Sequence, residues 1–204
     1  MSSPLADLLA LHRTAVLASV DIVNTVGADD LSRETPCAGW DLGELLAHMT
    51  VQHRGFAAAA RGTGGDPAIW NIDTVREAVL ADPAGAYAES ADDVLEAFAG
   101  ATGTFNLPDL GPNFPAEAAV GFHFIDYVVH GWDVAASLGK PYRLPAAVIE
   151  TALPVAEIVP DGEFRTMPNA PFAPAQNGEA ANDFDRLLLH LGRIPQWRPQ
   201  ADQS

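Results

Sequence analysis

Apolar residues recur along most of the chain at the three- and four-residue spacing that is typical of amphipathic helices. The first predicted helix runs from about Pro4 to Val26, and Gly27 ends it. A strand would instead alternate apolar and polar residues between turn residues, and no segment does so convincingly. The pattern therefore predicts an all-α protein.

Further predicted helices alternate with loops that are rich in glycine and proline. The loops are predicted at residues 62–73, 100–115 and 160–174. The helices are predicted at about residues 42–61, 75–80, 86–98, 116–138, 146–158 and 182–191. Four long helices with short additional ones predict a four-helix bundle.

The start of the second helix carries a recognisable capping pattern. Asp41 is the predicted N-cap, and Glu44 follows it at the distance of a capping box. Trp40 is expected to pack on Leu45 across this boundary. The polar connection before Asp41 therefore ends in a defined helix start.

Composition limits the class of protein. With 204 residues, of which 48% are hydrophobic, the chain can bury a substantial core, and we expect one domain over residues 1–204. The N-terminal segment lacks the basic and apolar regions of a secretory signal, and no stretch is apolar enough to span a membrane. A lone cysteine, Cys37, cannot form an internal disulfide. These features predict a cytoplasmic protein.

Charge limits the partners. A formal net charge of −16, with Lys140 as the only lysine, argues against binding to nucleic acid or to anionic membranes. Both need clustered basic residues that neutralise phosphate groups. The expected partner is a small-molecule substrate, and a homodimer is compatible with this charge.

The predicted helix over residues 116–138 carries an unusual polar stripe. The polar residues on one side of it are His123, Asp126, His130 and Asp133. Apolar residues cover most of its remaining surface, so the whole helix is expected to be buried. Because buried ionisable groups need partners or a metal ion, the stripe is where we expect the chemistry of the protein.

Two residues of this stripe have the spacing of metal ligands. Asp126 and His130 are four residues apart, so their side chains project side by side from successive turns. The same spacing also fits a buried Asp–His hydrogen bond without a metal ion. His48, among apolar residues of the second helix, adds a third donor. Three protein ligands leave a fourth position open, which is typical of a catalytic metal site.

Two further residues of the stripe are predicted to be catalytic. His123 lies three residues before Asp126 and is predicted either as a fourth ligand or as an acid or base. Asp133 is predicted in the same catalytic group, and orienting a ligand or capping is its alternative role. His53 points about 140° away from His48 and is predicted at the surface.

The other candidate site residues lie outside this helix. Cys37 precedes a helix N-terminus and is a candidate nucleophile, with packing in the turn as the other interpretation. Arg54 is a candidate anchor for a cofactor or anionic substrate, and Trp70 is a candidate for the mouth of the same pocket. Arg186 and Arg193 are further candidate anchors, and a solvated salt bridge is the alternative for each arginine. His12 and His190 are predicted as structural or surface positions.

Three segments together resemble a known family: TPCAGWDLGELLAHM at residues 35–49, FHFIDYVVHGWDVAASLG at 122–139 and FDRLLLHLGRIPQW at 184–197. They resemble the actinobacterial metal-binding branch of the DinB-like superfamily, which is related to the N-terminal domain of mycothiol-dependent maleylpyruvate isomerase. The resemblance implies a four-helix bundle of up-down-down-up topology with a divalent ion, zinc in many members. The ligands it implies here are His48, Asp126 and His130, with Asp126 where the isomerase has glutamate.

The same resemblance implies an activity. In many relatives a low-molecular-weight thiol such as mycothiol binds the metal and is activated for transfer or isomerisation. The alternatives are a metal-dependent hydrolase, lyase or cyclase of a biosynthetic pathway, and a non-catalytic module that binds a metal or small ligand. Zn²⁺ is the expected ion, and Ni²⁺, Mn²⁺ or Fe²⁺ also suit two histidines and one aspartate.

Overall fold

Helices make up most of the residues that the computed structural model describes, which are 4–108, 111–167 and 170–199. The long helices are α1 (Pro4–Val23), α2 (Leu42–Ala60), α4 (Pro83–Ala99) and α5 (Ala116–Ser137). The shorter helices are α3 (Asp73–Ala81), α6 (Ala146–Ile158) and α7 (Asp183–His190). Single 3-10 turns lie at Ala28–Asp30, Pro67–Trp70 and Glu163–Thr166.

The four long helices form a bundle. α1 packs on α4 and α5, and α2 packs on the same two helices, so each long helix contacts two others. α3 covers α2 and α4, while α6 packs on α5 and α7. The predicted helical bundle is therefore confirmed. Within the described residues, no helix has both the length and the apolar character that crossing a lipid bilayer requires.

The apolar core is divided into three clusters, and α5 contributes to all of them. Tyr127 and Val134 belong to the cluster built mainly with α1 and α2. Phe124 and Ile125 belong to a second cluster with α6 and α7, and Val120 belongs to a third with the ends of α2 and α4. α5 is thus the central helix of the protein, as its nearly uniform apolar character predicts.

Some helix boundaries differ from the predicted ones. α1 ends at Val23, three residues before the predicted end. The helix predicted over residues 86–98 already begins at Pro83, because the Asp82 side chain accepts a hydrogen bond from the Gly85 amide at 3.0 Å. Proline fits the first helical turn, where its missing amide hydrogen is not needed. Asp82 therefore separates two helices without an intervening loop.

A small hairpin replaces part of a predicted loop. β1 (Thr104–Leu107) pairs antiparallel with β2 (Gly111–Pro115), and Phe105 lies opposite Phe114. The prediction of a loop over all of residues 100–115 was therefore wrong. β1 alternates between exposed and buried positions over only four residues, and β2 contains proline and glycine, which strands usually lack. The pattern is too short to mark strands in the sequence.

The predicted start of α2 is confirmed. The Asp41 carboxylate accepts a hydrogen bond from the Glu44 amide at 2.8 Å, and the Glu44 carboxylate accepts one from the Asp41 amide at 3.1 Å. This reciprocal capping box satisfies two amide groups that the first helical turn leaves free. It also fixes the point from which the side chains of α2 project into the bundle.

Trp70 holds the loop after α2 against that helix. Its indole nitrogen donates a hydrogen bond to the Gly64 carbonyl at 2.8 Å, and its ring meets Phe56 edge-on at a centroid distance of 5.4 Å. A β-carbon placed on Gly55 would lie 2.4 Å from the Trp70 ring. The close approach of the indole to α2 therefore depends on glycine at position 55.

We expect Gly55→Ala to destabilise the protein by about 1–3 kcal/mol, because the added methyl group must displace the packed indole. Urea unfolding followed by circular dichroism measures this change. Gly100→Ala is the matched control, since a β-carbon at Gly100 meets no atom within 4 Å. Equal stability of the two variants would contradict the packing role assigned to Trp70.

Candidate metal centre

The structure brings the three predicted metal ligands together. His48 projects from α2, and Asp126 and His130 project from successive turns of α5. One donor atom from each residue lies within 4.8 Å of the other two. The His130 Nε2 atom is 3.2 Å from Asp126 Oδ1, and the rings of His48 and His130 meet edge-on at 5.3 Å. This is a donor cluster with the dimensions of a metal site.

The cluster is buried on one side and accessible on the other. His130 is 3% exposed, whereas His48 and Asp126 are only partly buried. The Trp40 indole covers part of His48, with a centroid distance of 4.8 Å. A small molecule therefore has a route to the cluster past His48 and Asp126.

A second set of contacts lies behind His130. The Nδ1 atom of His130 is 2.9 Å from Asp133 Oδ2, and Asp133 is fully buried. Arg193 forms two hydrogen bonds to the same carboxylate: Nη2 donates to Oδ2 at 2.9 Å, and Nε donates to Oδ1 at 3.3 Å. Such two-point contacts between arginine and a carboxylate fix both distance and orientation. Asp133 thus links the imidazole of His130 to a buried guanidinium.

Cys37 completes this second set. Its thiol donates a hydrogen bond to Asp133 Oδ2 at 3.2 Å, accepts one from Arg193 Nη2 at 3.2 Å, and lies 3.9 Å from His130 Nδ1. Cys37, His130 and Asp133 therefore form another group with metal-ligand chemistry. The Arg193 guanidinium already supplies a positive charge between Cys37 and Asp133, which makes this group an ion-paired cluster.

Two residues of the site, His48 and Asp133, have pKa values that are clearly shifted from their usual values. Burial lowers the pKa of His48 to about 4, with the positive charge of His130 acting in the same direction. For Asp133 burial acts to raise the pKa, but the charge of Arg193 and the hydrogen bonds from His130 and Arg193 outweigh it and lower the pKa to about 2. His48 is therefore neutral at pH 7, and Asp133 is ionised.

Burial and neighbouring charges act in opposite directions on the pKa values of His130 and Asp126, and each of these two residues shifts the pKa of the other. Burial acts to lower the pKa of His130, but the charge of Asp126 and hydrogen bonds to Asp126 and Asp133 raise it well above its usual value. Burial acts to raise the pKa of Asp126, whereas the neighbouring His130 lowers it. With these neighbours alone, His130 is a cation between two carboxylates.

The remaining histidines of the core form a separate cluster. His123 Nδ1 lies 2.8 Å from His12 Nε2, and His123 Nε2 lies 3.2 Å from His53 Nδ1. Tyr127 stacks on His53 at 4.0 Å. His123 was predicted to act beside the metal ligands, but the structure directs both its ring nitrogens towards these two histidines.

The prediction that His53 lies at the surface was wrong, since its exposure is 0%. The side of α2 that points about 140° away from His48 faces another helix of the bundle instead of solvent. The His53 ring packs against Tyr87 of α4 at 5.2 Å. The angle between two side chains therefore excludes a shared site but does not place either one at the surface.

Arg54, Trp70 and Arg186 make their contacts outside the group of His48, Asp126 and His130. Arg54 lines a shallow depression of about 480 Å³ with Ser90 and acidic residues of α4. Trp70 packs on Gly55 and Phe56, as described above. Arg186 is exposed and forms ion pairs with Glu157 and Asp183. The contacts of these predicted residues are with surface groups and the core, and not with the metal-ligand group.

Arg193 is the site residue whose role the sequence did not distinguish. It was grouped with Arg186 as a candidate anchor, yet it is 5% exposed and forms the buried pair with Asp133. A single arginine after a short helix gives no sequence signal of burial. The sequence indicated an orienting role for Asp133 as one alternative, but it named no partner for this residue.

A cleft lies beside Trp40, the residue that packs on His48. It has a volume of about 870 Å³ and is lined by residues within 32–44 and 194–198, including Trp40 and Trp197. Trp40 belongs both to the cleft wall and to the contact with His48. The cleft is therefore large enough for a small organic molecule, and Trp40 connects its wall to the donor cluster.

Comparison with known proteins agrees with this architecture. The family model described as the mycothiol maleylpyruvate isomerase N-terminal domain matches residues 12–135, a range that contains all three metal-ligand positions. Proteins from two strains of Mycobacterium tuberculosis, each described as uncharacterized, are 29% identical over 192 residues. The match covers 92% of this chain and 98% of each relative.

The crystal structure of the mycothiol-dependent maleylpyruvate isomerase has a similar fold. The TM-score is 0.58 at 16% identity, and the match covers 76% of this chain and 68% of the isomerase chain. At this identity the likeness concerns the fold alone. It confirms the predicted DinB-like helical class.

The buried histidine cluster predicts sensitivity to acid. Burial lowers the pKa of His12 to about 3, and it lowers the pKa values of His53 and His123 well below 6.5. Below about pH 6.5 the unfolded chain binds protons that the folded protein does not bind. Stability should therefore fall as the pH drops from 7.5 to 5.5, by roughly 1–1.5 kcal/mol for each such histidine.

His12→Phe isolates this effect, because phenylalanine has a similar shape and cannot be protonated. Urea unfolding at pH 7.5 and 5.5, with EDTA present, should give a smaller loss of stability for this variant than for the wild type. Val16→Ala, a buried substitution on the same helix, should show the wild-type pH dependence. An unchanged pH dependence in His12→Phe would contradict the assignment.

Proposed function

Because the chain belongs to the family of the mycothiol maleylpyruvate isomerase N-terminal domain, we propose that it is a metal-dependent enzyme that uses a low-molecular-weight thiol, as a transferase or isomerase. The observation that carries this proposal is the cluster of His48, Asp126 and His130, whose donor atoms lie within 4.8 Å of one another. Thiol use is supported by the name of the family, and the solved structure that resembles this chain is that of a mycothiol-dependent isomerase.

The residues of the cluster suit a divalent cation. Two imidazoles and one carboxylate are a common ligand set of catalytic zinc, and they also accept Ni²⁺, Mn²⁺ or Fe²⁺. When a metal ion is bound, the His130 ring would donate its Nδ1 hydrogen to Asp133, and the Nε2 lone pair would face Asp126 and His48. A carboxylate behind a histidine ligand is a recurrent feature of metal sites. Zn²⁺ is our proposed ion.

The open side of the cluster provides the site for a small molecule. A divalent ion held there would lower the pKa of a coordinating thiol, so that the thiolate predominates at neutral pH. Asp126 is 20% exposed at its side chain, so a ligand can reach this side from solvent. The cleft beside Trp40 has room for the parts of the substrate that do not react.

Two predicted catalytic residues take different roles in this proposal. Asp133 is fully buried, and its oxygens contact Arg193 and His130, so it orients His130 instead of exchanging a proton with substrate. His123 contributes to the buried histidine cluster with His12 and His53. We therefore assign the binding of substrate to the surroundings of His48 and Asp126.

Metal content tests the ligand set. Purified wild-type protein, dialysed against buffer with a stoichiometric zinc supply, should retain one zinc per chain by elemental analysis. Asp126→Ala and His130→Ala should each lose it while circular dichroism still reports the helices, since three apolar clusters stabilise the bundle. His190→Gln, a histidine substitution outside the cluster, should retain zinc. Stoichiometric zinc in both ligand variants would refute the assignment.

Calorimetric titration with mycothiol tests the thiol. Zinc-loaded wild type should bind it with measurable heat, and His48→Ala should not, because the variant lacks one of the three ligands. Zinc-loaded protein that shows no heat with mycothiol would refute the thiol-dependent function. That result would favour a hydrolase, lyase or cyclase with the same metal site.

A further inference from the structure

Arg193 is a buried charged side chain with several hydrogen bonds close to the metal-ligand group. It lies just after α7 and is 60 residues distant in sequence from Asp133, with which it forms two hydrogen bonds. Its Nη1 atom donates to the Leu191 carbonyl at 2.8 Å, and its Nη2 atom also donates to Cys37 Sγ at 3.2 Å. The guanidinium stands 6.0 Å from the ring centroid of Phe172. Its orientation is therefore fixed from several sides.

Stability alone does not account for this buried ion pair. Burying two charges costs solvation energy, and apolar residues of similar size often stabilise a core equally well. Asp133 has a further partner, because its Oδ2 atom is 2.9 Å from the Nδ1 atom of His130. The Arg193–Asp133 pair therefore contacts the ring nitrogen of His130 that faces away from the donor cluster. A contact at this nitrogen fixes the orientation of the imidazole, and that orientation affects how the ring binds a metal ion.

We propose that Arg193 is a positioning residue of the metal centre, acting on His130 through Asp133. This inference rests on the metal-dependent function proposed above. Arg193 contacts both oxygens of the carboxylate and so fixes its plane. In the metal-bound form the fixed carboxylate would accept the Nδ1 hydrogen of His130, which selects the tautomer whose Nε2 lone pair faces His48 and Asp126.

Cys37 ties a third part of the chain to this contact. Its thiol contacts both Arg193 Nη2 and Asp133 Oδ2, at 3.2 Å from each. Cys37 belongs to the same connection before α2 as Trp40, which packs on His48. The segment after α7 therefore supports the ligand group at two points, through Asp133 on α5 and through the loop that carries Cys37.

Arginine is needed at position 193 because of its shape as well as its charge. A lysine ammonium is a compact point charge and does not present two parallel N–H groups to a carboxylate. Arg193→Lys should keep the buried ion pair but release the plane of Asp133. Arg193→Gln removes the charge as well. The two variants therefore separate charge from orientation.

The test measures zinc affinity and ligand geometry instead of activity. The dissociation constant for zinc is obtained by competition with a chromophoric chelator, and the absorption spectrum of the Co²⁺-substituted protein reports the coordination geometry. We expect Arg193→Gln to weaken zinc binding by about 10- to 100-fold and to change the Co²⁺ spectrum. Arg193→Lys should have an intermediate effect. Arg186→Gln, which removes an exposed arginine of α7, should stay within about twofold of wild type.

A double-variant comparison separates positioning from general destabilisation. Asp133→Asn presents an amide that can donate to Nδ1, which favours the histidine tautomer with its hydrogen on Nε2. Zinc binding should then weaken at least as much as in Arg193→Gln. Adding Arg193→Gln to Asp133→Asn should weaken it little further, because both act through one contact. Thermal unfolding of the zinc-free proteins measures the structural cost separately.

The outcomes distinguish this inference from the proposed function. If wild type binds zinc while Arg193→Gln and Arg193→Lys keep its dissociation constant and Co²⁺ spectrum, the inference is wrong and the metal centre stands. If wild type binds neither Zn²⁺ nor Co²⁺, the proposed function and this inference both fail. If Arg193→Gln does not fold, Arg193→Lys, which preserves the charge beside Asp133, decides the question by the same two measurements.

Discussion

The imidazole of His130, held between two carboxylates, is the constraint on which the site depends. Its Nε2 atom is 3.2 Å from Asp126 and its Nδ1 atom is 2.9 Å from Asp133. Each nitrogen therefore faces a different group, one towards the open donor cluster and one towards the buried pair with Arg193. α2 supplies His48 beside this ring, α5 supplies both carboxylates, and the segment after α7 supplies the arginine that binds one of them.

Helix α5 carries two buried histidines, His123 and His130, whose pKa values are shifted in opposite directions. Burial lowers the pKa of His123, which shares hydrogen bonds with other imidazoles and stays neutral. Burial also acts to lower the pKa of His130, but two carboxylates reverse the direction. His123 and His130 are seven residues apart on α5, so they lie on nearly the same side two turns apart. Their neighbours, and not their depth in the bundle, decide which histidine carries charge.

Helix spacing was enough to predict much of the fold and part of the site. It located α5 within one residue and the capping box of α2, and together with the family resemblance it indicated the group of His48, Asp126 and His130. Contacts between distant segments were not predictable, since nothing near Arg193 in the sequence marks it as the partner of Asp133. The position of His53 depended on which helix covers its side of α2, and the hairpin was too short for its alternation to be seen.

The division of the core explains how the bundle accommodates so many ionisable groups. On α5, Tyr127 and Val134 pack into one apolar cluster, whereas Phe124 and Val128 pack into another. The polar stripe of α5 runs between these clusters, so its hydrogen bonds do not interrupt the apolar contacts within either one. This polar seam between the apolar clusters can hold ionisable groups only where each group has a partner. Arg193 is the partner of Asp133, and the buried histidines are partners of one another. The seam meets solvent beside Asp126, and this is the position at which we propose that a metal ion and a substrate enter.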